Sequence, residues 1–288
     1  MYTGSSDSWL SPPPVAVGGV GGSGTRLVAE LLLRLGYDLG NDLNESFDNL
    51  TFTLLLKRLE LWPPERHPAE IDKALALFLA AARGQLQAGA VDIDYLASLT
   101  ATSRPTHPRD WLLERARRLV QSVESPEAAS DRWGWKEPNT HIFLDMLNQR
   151  IPGLRYIHVV RNGLDMAYSE NQHQLFLWGR ALLGLNYQPE SAEDSFRYWA
   201  EAHRRVMALG RDMGPRFLLL NFDQLCIEPD EQLARLCDFL DIDPGHDELD
   251  TLRQRIKTPS SIGRHKREPR FATRHDDIAT LQDMGFSD

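Results

Sequence analysis

The chain alternates between two hydrophobic patterns. Short continuous apolar runs recur at Val15-Ala-Val17, Tyr156-Ile-His-Val-Val160 and Phe217-Leu-Leu-Leu220. Such short runs, the first two rich in β-branched residues, read as buried strands. Between them, apolar residues fall at helical spacing. Leu27, Val28, Leu31, Leu32 and Leu35 predict a helix from Thr25 to about Leu35, closed by Gly36. Phe196, Trp199, Ala202, Val206 and Leu209 predict a long helix over Ser191–Arg211, and Leu233, Leu236 and Leu240 another over Pro229–Leu240. Strands alternating with helices imply an α/β fold with a parallel β-sheet flanked by helices.

Residues of about 50–130 break this rhythm and read as helical throughout. Leu54, Leu55, Leu59 and Leu61 cluster before Trp62-Pro63-Pro64. Ala69–Arg83 is a helix closed by Gly84, and Pro105–Pro108 is a break. Trp111, Leu112, Ala116, Leu119 and Val120 then mark an amphipathic helix. The block is expected to be an insertion in a single domain spanning 15–288, covering the site, with Trp62 in the core. Residues 1–14, ending in Pro12-Pro13-Pro14, read as a flexible N-terminal tail. Trp133-Gly-Trp135 reads as a short strand, followed by a turn and a helix start with Thr140 as its N-cap.

The chemistry starts in the loop after the first strand, Gly18-Gly-Val-Gly-Gly-Ser-Gly-Thr-Arg26. Strand, glycine loop and helix N-terminus together form an anion site: bare N–H groups and the positive helix end face the ligand, with no side chain in the way. A nucleotide-kinase loop requires G-x-x-x-x-G-K-[ST]. Gly19 and Gly24 have that separation, but Thr25 and Arg26 stand where Lys and Ser/Thr belong. Gly19, Gly21 and Gly24 also spell G-x-G-x-x-G, yet no acidic residue follows on a clear second strand.

A second stretch, Arg161-Asn-Gly-Leu-Asp165-Met-Ala-Tyr-Ser169, also follows a strand and enters a helix. Ser169 comes about two helical turns after Arg161. Ser23-Gly24-Thr25 and the set Arg161, Asp165, Ser169 together resemble the two phosphate-binding motifs, [KR]-S-G-T and R-x-x-x-D-x-x-x-S, of sulfotransferases that use 3′-phosphoadenosine 5′-phosphosulfate (PAPS). The resemblance is to bacterial-type members, runs from about Val15 to Lys266, and is tight only at the two motifs. It implies a P-loop NTPase-like sulfotransferase fold and PAPS as co-substrate, with a sulfuryl group passing to a hydroxyl acceptor: a small molecule, a glycan or a peptide. Gly21, Gly22, Ser23, Gly24, Thr25 and Arg26 would then bind the 5′-phosphosulfate, and Arg161 and Ser169 the 3′-phosphate. Ser260-Ser-Ile-Gly263-Arg264-His-Lys266 resembles the family's C-terminal loop, which implies 3′-phosphate binding by Gly263, Arg264 and Lys266.

One position departs from the family: Gly22 stands where a basic residue precedes S-G-T. Either Arg26, or Lys136 in a segment similar to the family's K-x-P, supplies that charge, or activity is weakened. Sulfuryl transfer to a hydroxyl also needs a base. Among Asp38, Asp42, Glu45 and Asp48, Glu45 is the leading candidate and Asp48 the next; His141 is a further one. Two rivals stay open: a nucleotide or small-molecule kinase with a degenerate P-loop, and a sulfotransferase-like nucleotide binder without catalysis.

Composition trims the partners. The net charge of −9 argues against a nucleic-acid surface. Cys226 and Cys237 offer neither a disulfide framework nor a metal set, so no metal is expected and a reducing, cytoplasmic setting fits. No apolar run approaches the ~20 residues of a membrane helix, and the N-terminus lacks a signal peptide's basic start.

Overall fold

A computed structural model describes residues 12–87, 91–123 and 130–287. Four strands form one sheet: β1 (Val15–Gly19), β2 (Gly134–Lys136), β3 (Arg155–Val160) and β4 (Phe217–Asn221). Their order is β2-β1-β3-β4 and every pairing is parallel. Val17 pairs with both Lys136 and Ile157, and Val160 pairs with Asn221. The carboxyl ends of all four strands therefore lie along one edge of the sheet, where open α/β sheets bind ligands.

Alternation along each strand feeds two separate cores. Val15, Val17, Ile157 and Val159 face one layer with α1 (Thr25–Arg34) and, later in the chain, α10 (Phe222–Ile227), α11 (Pro229–Leu240) and α12 (His246–Arg255). Ala16, Tyr156 and Val160 face the other. That layer takes the insertion helices α2 (Leu50–Leu55), α3 (Pro68–Ala82), α4 (Ile93–Leu99) and α5 (Arg109–Gln121). It also takes α6 (Leu144–Arg150), α7 (Gly163–Ala167), α8 (His173–Leu183), α9 (Ala192–Met213) and α13 (His275–Asp283). Trp133, Trp135, Trp178 and Trp199 are all fully buried there. Each tryptophan withdraws on the order of 200 Å² from water, about 5 kcal/mol of transfer free energy. Helix α9, the long helix expected from its apolar stripe, starts at a capping box in which the Ser191 and Asp194 side chains each meet the other's backbone amide.

The helical reading of 50–130 holds where the structure describes it, and Trp62 packs partly buried on the larger core. Cys226 and Cys237 are both buried, and burial pushes the Cys226 thiol up to about 11. The predicted tail falls almost wholly outside the described residues. Two local expectations need correction. Thr140 does not cap a helix; it sits inside a 3-10 turn, Pro138–Phe143, capped by Glu137, and its hydroxyl accepts a hydrogen bond from Trp135 Nε1 at 3.1 Å. The helix after Arg161 ends at Ala167, short of Ser169. The Gln172 side-chain amide donates to the carbonyls of Met166, at 3.1 Å, and Ser169, at 2.8 Å, taking acceptors that another turn would need.

Candidate functional site

The loop from β1 to α1 is shaped by close approaches. Gly22 and Gly24 have φ of +92° and +95°, where a side chain is strained. A Cβ on Gly24 would fall 2.0 Å from the Phe222 ring, and one on Gly19 would fall 2.6 Å from both Ser23 Oγ and the Val159 carbonyl. Ser23 is fully buried, yet its Oγ has no hydrogen-bond partner. No side chain caps the start of α1. A buried orphan hydroxyl and uncapped helix amides in a glycine cradle fit a bound phosphate or sulfate group.

The second motif lies across the same edge. Arg161 follows β3, stacks at 5.5 Å over the Phe222 ring and lies 3.6 Å from Asp223 Oδ1. Its Nη2 donates to Ser261 Oγ at 2.7 Å. Burial raises the Asp223 carboxyl above its ordinary range, against the nearby Arg161 charge, while its Oδ2 accepts from the Asn162 amide at 3.1 Å. A Cβ on Gly22 would stand 3.8 Å from Ser169 Oγ. Two stretches far apart in the sequence therefore face each other across the mouth of the glycine loop. Arg264 Nη1 donates to the Tyr168 carbonyl at 2.8 Å. Ser169, Asn171, Arg264 and Arg267 line a groove of about 790 Å³ beside them. Gly263 takes φ +74°, and Lys266 is exposed, as is Arg26 on the first turn of α1.

Parallel pairing brings Lys136 level with Val17, and the Glu137 amide donates to the Val17 carbonyl at 3.1 Å. Lys136 is only 2% exposed. Its Nζ donates to the Ser46 carbonyl at 2.9 Å and pairs with Asp48. Lysine, aspartate and the 44–48 turn thus form one unit at the sheet edge. Glu45 projects from that turn and is exposed. Asp42 is engaged elsewhere, with Arg115 at 2.6 Å and Arg118 at 3.2 Å.

His141 lies in the interior, 6% exposed, with burial holding its imidazole down to about 4. Its Nε2 meets Gln174 Oε1 at 3.0 Å, and Gln174 Nε2 donates to the Gly19 carbonyl at 3.1 Å. His141, a base candidate in the sequence, thus braces the glycine loop from behind through Gln174, and burial keeps its imidazole neutral against the opposing effect of the Gln174 hydrogen bond. Sequence reading missed Gln174 and Asp223, which support the loop and Arg161. Neither carries a local signal, because both act through contacts distant in the chain.

Among the described residues no group of three or more His, Cys, Asp or Glu is arranged to hold a metal ion, and no helix is long and apolar enough to cross a membrane. No curated protein sequence matches the chain. Among solved structures it resembles the sulfotransferase domain of the Synechococcus PCC 7002 olefin synthase, at 15% identity and a TM-score of 0.51, over 96% of each chain. It also aligns with a sulfotransferase domain from the curacin biosynthetic pathway, at 13% identity and a TM-score of 0.49, over 95% of this chain and 98% of that one. A sulfotransferase from Mycobacterium avium aligns at 16% identity and a TM-score of 0.43, over 94% of this chain and 74% of that one. The first of these likenesses establishes the fold. A sequence profile of the sulfotransferase family matches residues 13–247, which includes both loops and the lysine between them, and the chain belongs to that family of transferase enzymes.

Proposed function

We propose that the protein transfers a sulfuryl group from PAPS to a hydroxyl acceptor. The observation that carries this reading is the facing of Gly22 and Ser169 beside a buried, unpartnered Ser23 hydroxyl. Such a site receives two anionic groups of one ligand, one at the glycine loop and one at Arg161 and Ser169. When bound, the donor supplies a sulfuryl group whose bond to the bridging phosphate oxygen breaks as a bond to the acceptor oxygen forms.

The chain's own residues have separable tasks. Amides of Gly21–Thr25 and the Ser23 hydroxyl hold the 5′-phosphosulfate. Arg161, Ser169 and the segment with Gly263, Arg264 and Lys266 hold the 3′-phosphate. Lys136, oriented by Asp48, offsets the charge that develops on the bridging oxygen, with Arg26 as the second cation close to the loop; charge oriented in advance of the reaction often supplies most of an enzyme's rate enhancement. Glu45, on the turn that Lys136 anchors, takes the acceptor proton. Family membership does not favour a kinase, and Thr25 stands where the kinase loop has Lys, with Arg26 where it has Ser or Thr.

The test is calorimetric titration with 3′-phosphoadenosine 5′-phosphate (PAP) against 5′-AMP and ATP, without added metal. Binding at least tenfold tighter for PAP is expected. Arg161→Ala should remove that preference; equal affinities in the unmodified protein would sink the reading.

A further inference from the structure

In the stretch Arg161 to Ser169, the arginine and the serine have evident tasks at a phosphate. The aspartate between them does not, and a carboxylate near a phosphate repels it. Its contacts account for it. Asp165 is 3% exposed. Its Oδ2 accepts from the Gly263 amide at 2.7 Å, and its Oδ1 accepts from the His265 amide at 2.9 Å and from His265 Nδ1 at 2.6 Å. Three short bonds thus join one buried carboxylate to a segment about 100 residues later in the chain. None of residues 257–274 is buried, and their regular structure is one 3-10 turn, Arg264–Arg267. Apolar burial contributes little there beyond the partly buried Ile262 and Phe271. Charge-assisted bonds, which are about twice as strong as neutral ones, do the holding.

We propose that Asp165 is a latch that fixes the basic segment Gly263–Arg267 against the groove beside Ser169. It is a positioning residue: it acts through Gly263 and His265 and does not itself touch nucleotide. The proposal rests on the donor reading above for the identity of the ligand. Gly263 suits the latch because its φ of +74° turns its amide and that of His265 toward the same carboxylate.

Electrostatics gives the test its sign. Asp165→Asn removes a negative charge, so charge alone predicts tighter phosphate binding. The latch predicts the opposite: an affinity for PAP reduced about 10- to 100-fold, with 5′-AMP unchanged within about twofold. Nucleotide-free D165N should also be cut by trypsin in the 264–270 segment about tenfold faster, while its thermal midpoint stays near that of the unmodified protein. PAP bound equally well or better, both nucleotides weakened alike, or an unchanged cleavage rate would each overturn the latch. Should D165N fail to fold, His265→Ala and His265→Asn replace it. The alanine variant should lose PAP affinity and the asparagine variant, whose amide can donate to Asp165, should recover it; no recovery refutes the latch. Equal binding of PAP and 5′-AMP by the unmodified protein would sink the donor reading instead, and the cleavage comparison would still judge the latch.

Discussion

Acid should unfold this protein through its interior histidines. His141, His158 and His203 stand in one file behind the glycine loop, with ring centroids 6.0 and 5.0 Å apart and near-perpendicular planes. Burial is the chief reason that His141 is held down to about 4, His203 to about 3 and His158 well below its ordinary value. The folded state therefore refuses protons that the unfolded chain accepts below about pH 6.5. Above that pH both states are neutral at these positions. As pH falls, the unfolded state binds more protons and stability drops. At pH 5, about 1.5 units below the unfolded value, each such histidine costs about 2 kcal/mol. His141 and His203 together cost about 4 kcal/mol, and His158 adds to it; that is a large share of a typical stability of about 5–15 kcal/mol. The raised carboxyls of Asp42 and Asp223 work in the opposite direction, so a difference between variants is the cleaner reading. Urea denaturation followed by tryptophan fluorescence at pH 7.5, 6 and 5 is the assay. His203→Phe should shrink the loss between pH 7.5 and 5 by about 2 kcal/mol, whatever its stability at pH 7.5. An unchanged pH slope would refute the assignment of a buried, neutral His203.

Other perturbations address the site. Lys136→Ala and Glu45→Gln should each lower kcat at least about 100-fold while PAP affinity moves less than about threefold, in line with groups that act on the transition state; a parallel rise in PAP Kd would assign them to binding. Gly22→Lys should tighten PAP about three- to fivefold, the value of a partly exposed ion pair, because no atom lies within 3.8 Å of the added Cβ. The left-handed backbone there should cost about 1 kcal/mol of stability, seen in the same denaturation assay. Gly24→Ala should cost about 3 kcal/mol or more, since it adds strain at φ +95° to a collision with Phe222; a loss below about 1 kcal/mol would mean the loop yields easily.

Local features were legible in the chain and distant ones were not. The strands and most helices follow from patterns within a dozen residues, and the glycine loop from backbone freedom at Gly22 and Gly24. The letters Arg161, Asp165 and Ser169 suggested a phosphate site, but not that the Asp165 carboxylate would meet the amides of Gly263 and His265. Nothing in the sequence near Asp165 encodes a partner that only the folded sheet edge brings close. The helix end before Ser169 escaped notice because its cause, the Gln172 amide, competes for carbonyls in a way that periodicity does not record. The burial of His141 against Gln174 was likewise not legible, because its partner lies 33 residues further along the chain.

The Phe222 ring has a wider consequence. It lies against Gly24 on the glycine loop, and Arg161 stacks over it at 5.5 Å. The glycine loop and Arg161 thus share one rigid aromatic body as a common rest, and not the adjustable length of a polar side chain. The ring works as a datum: under the proposed function it refers both stretches to one rigid body, and so favours a ligand whose two charged ends span one set distance.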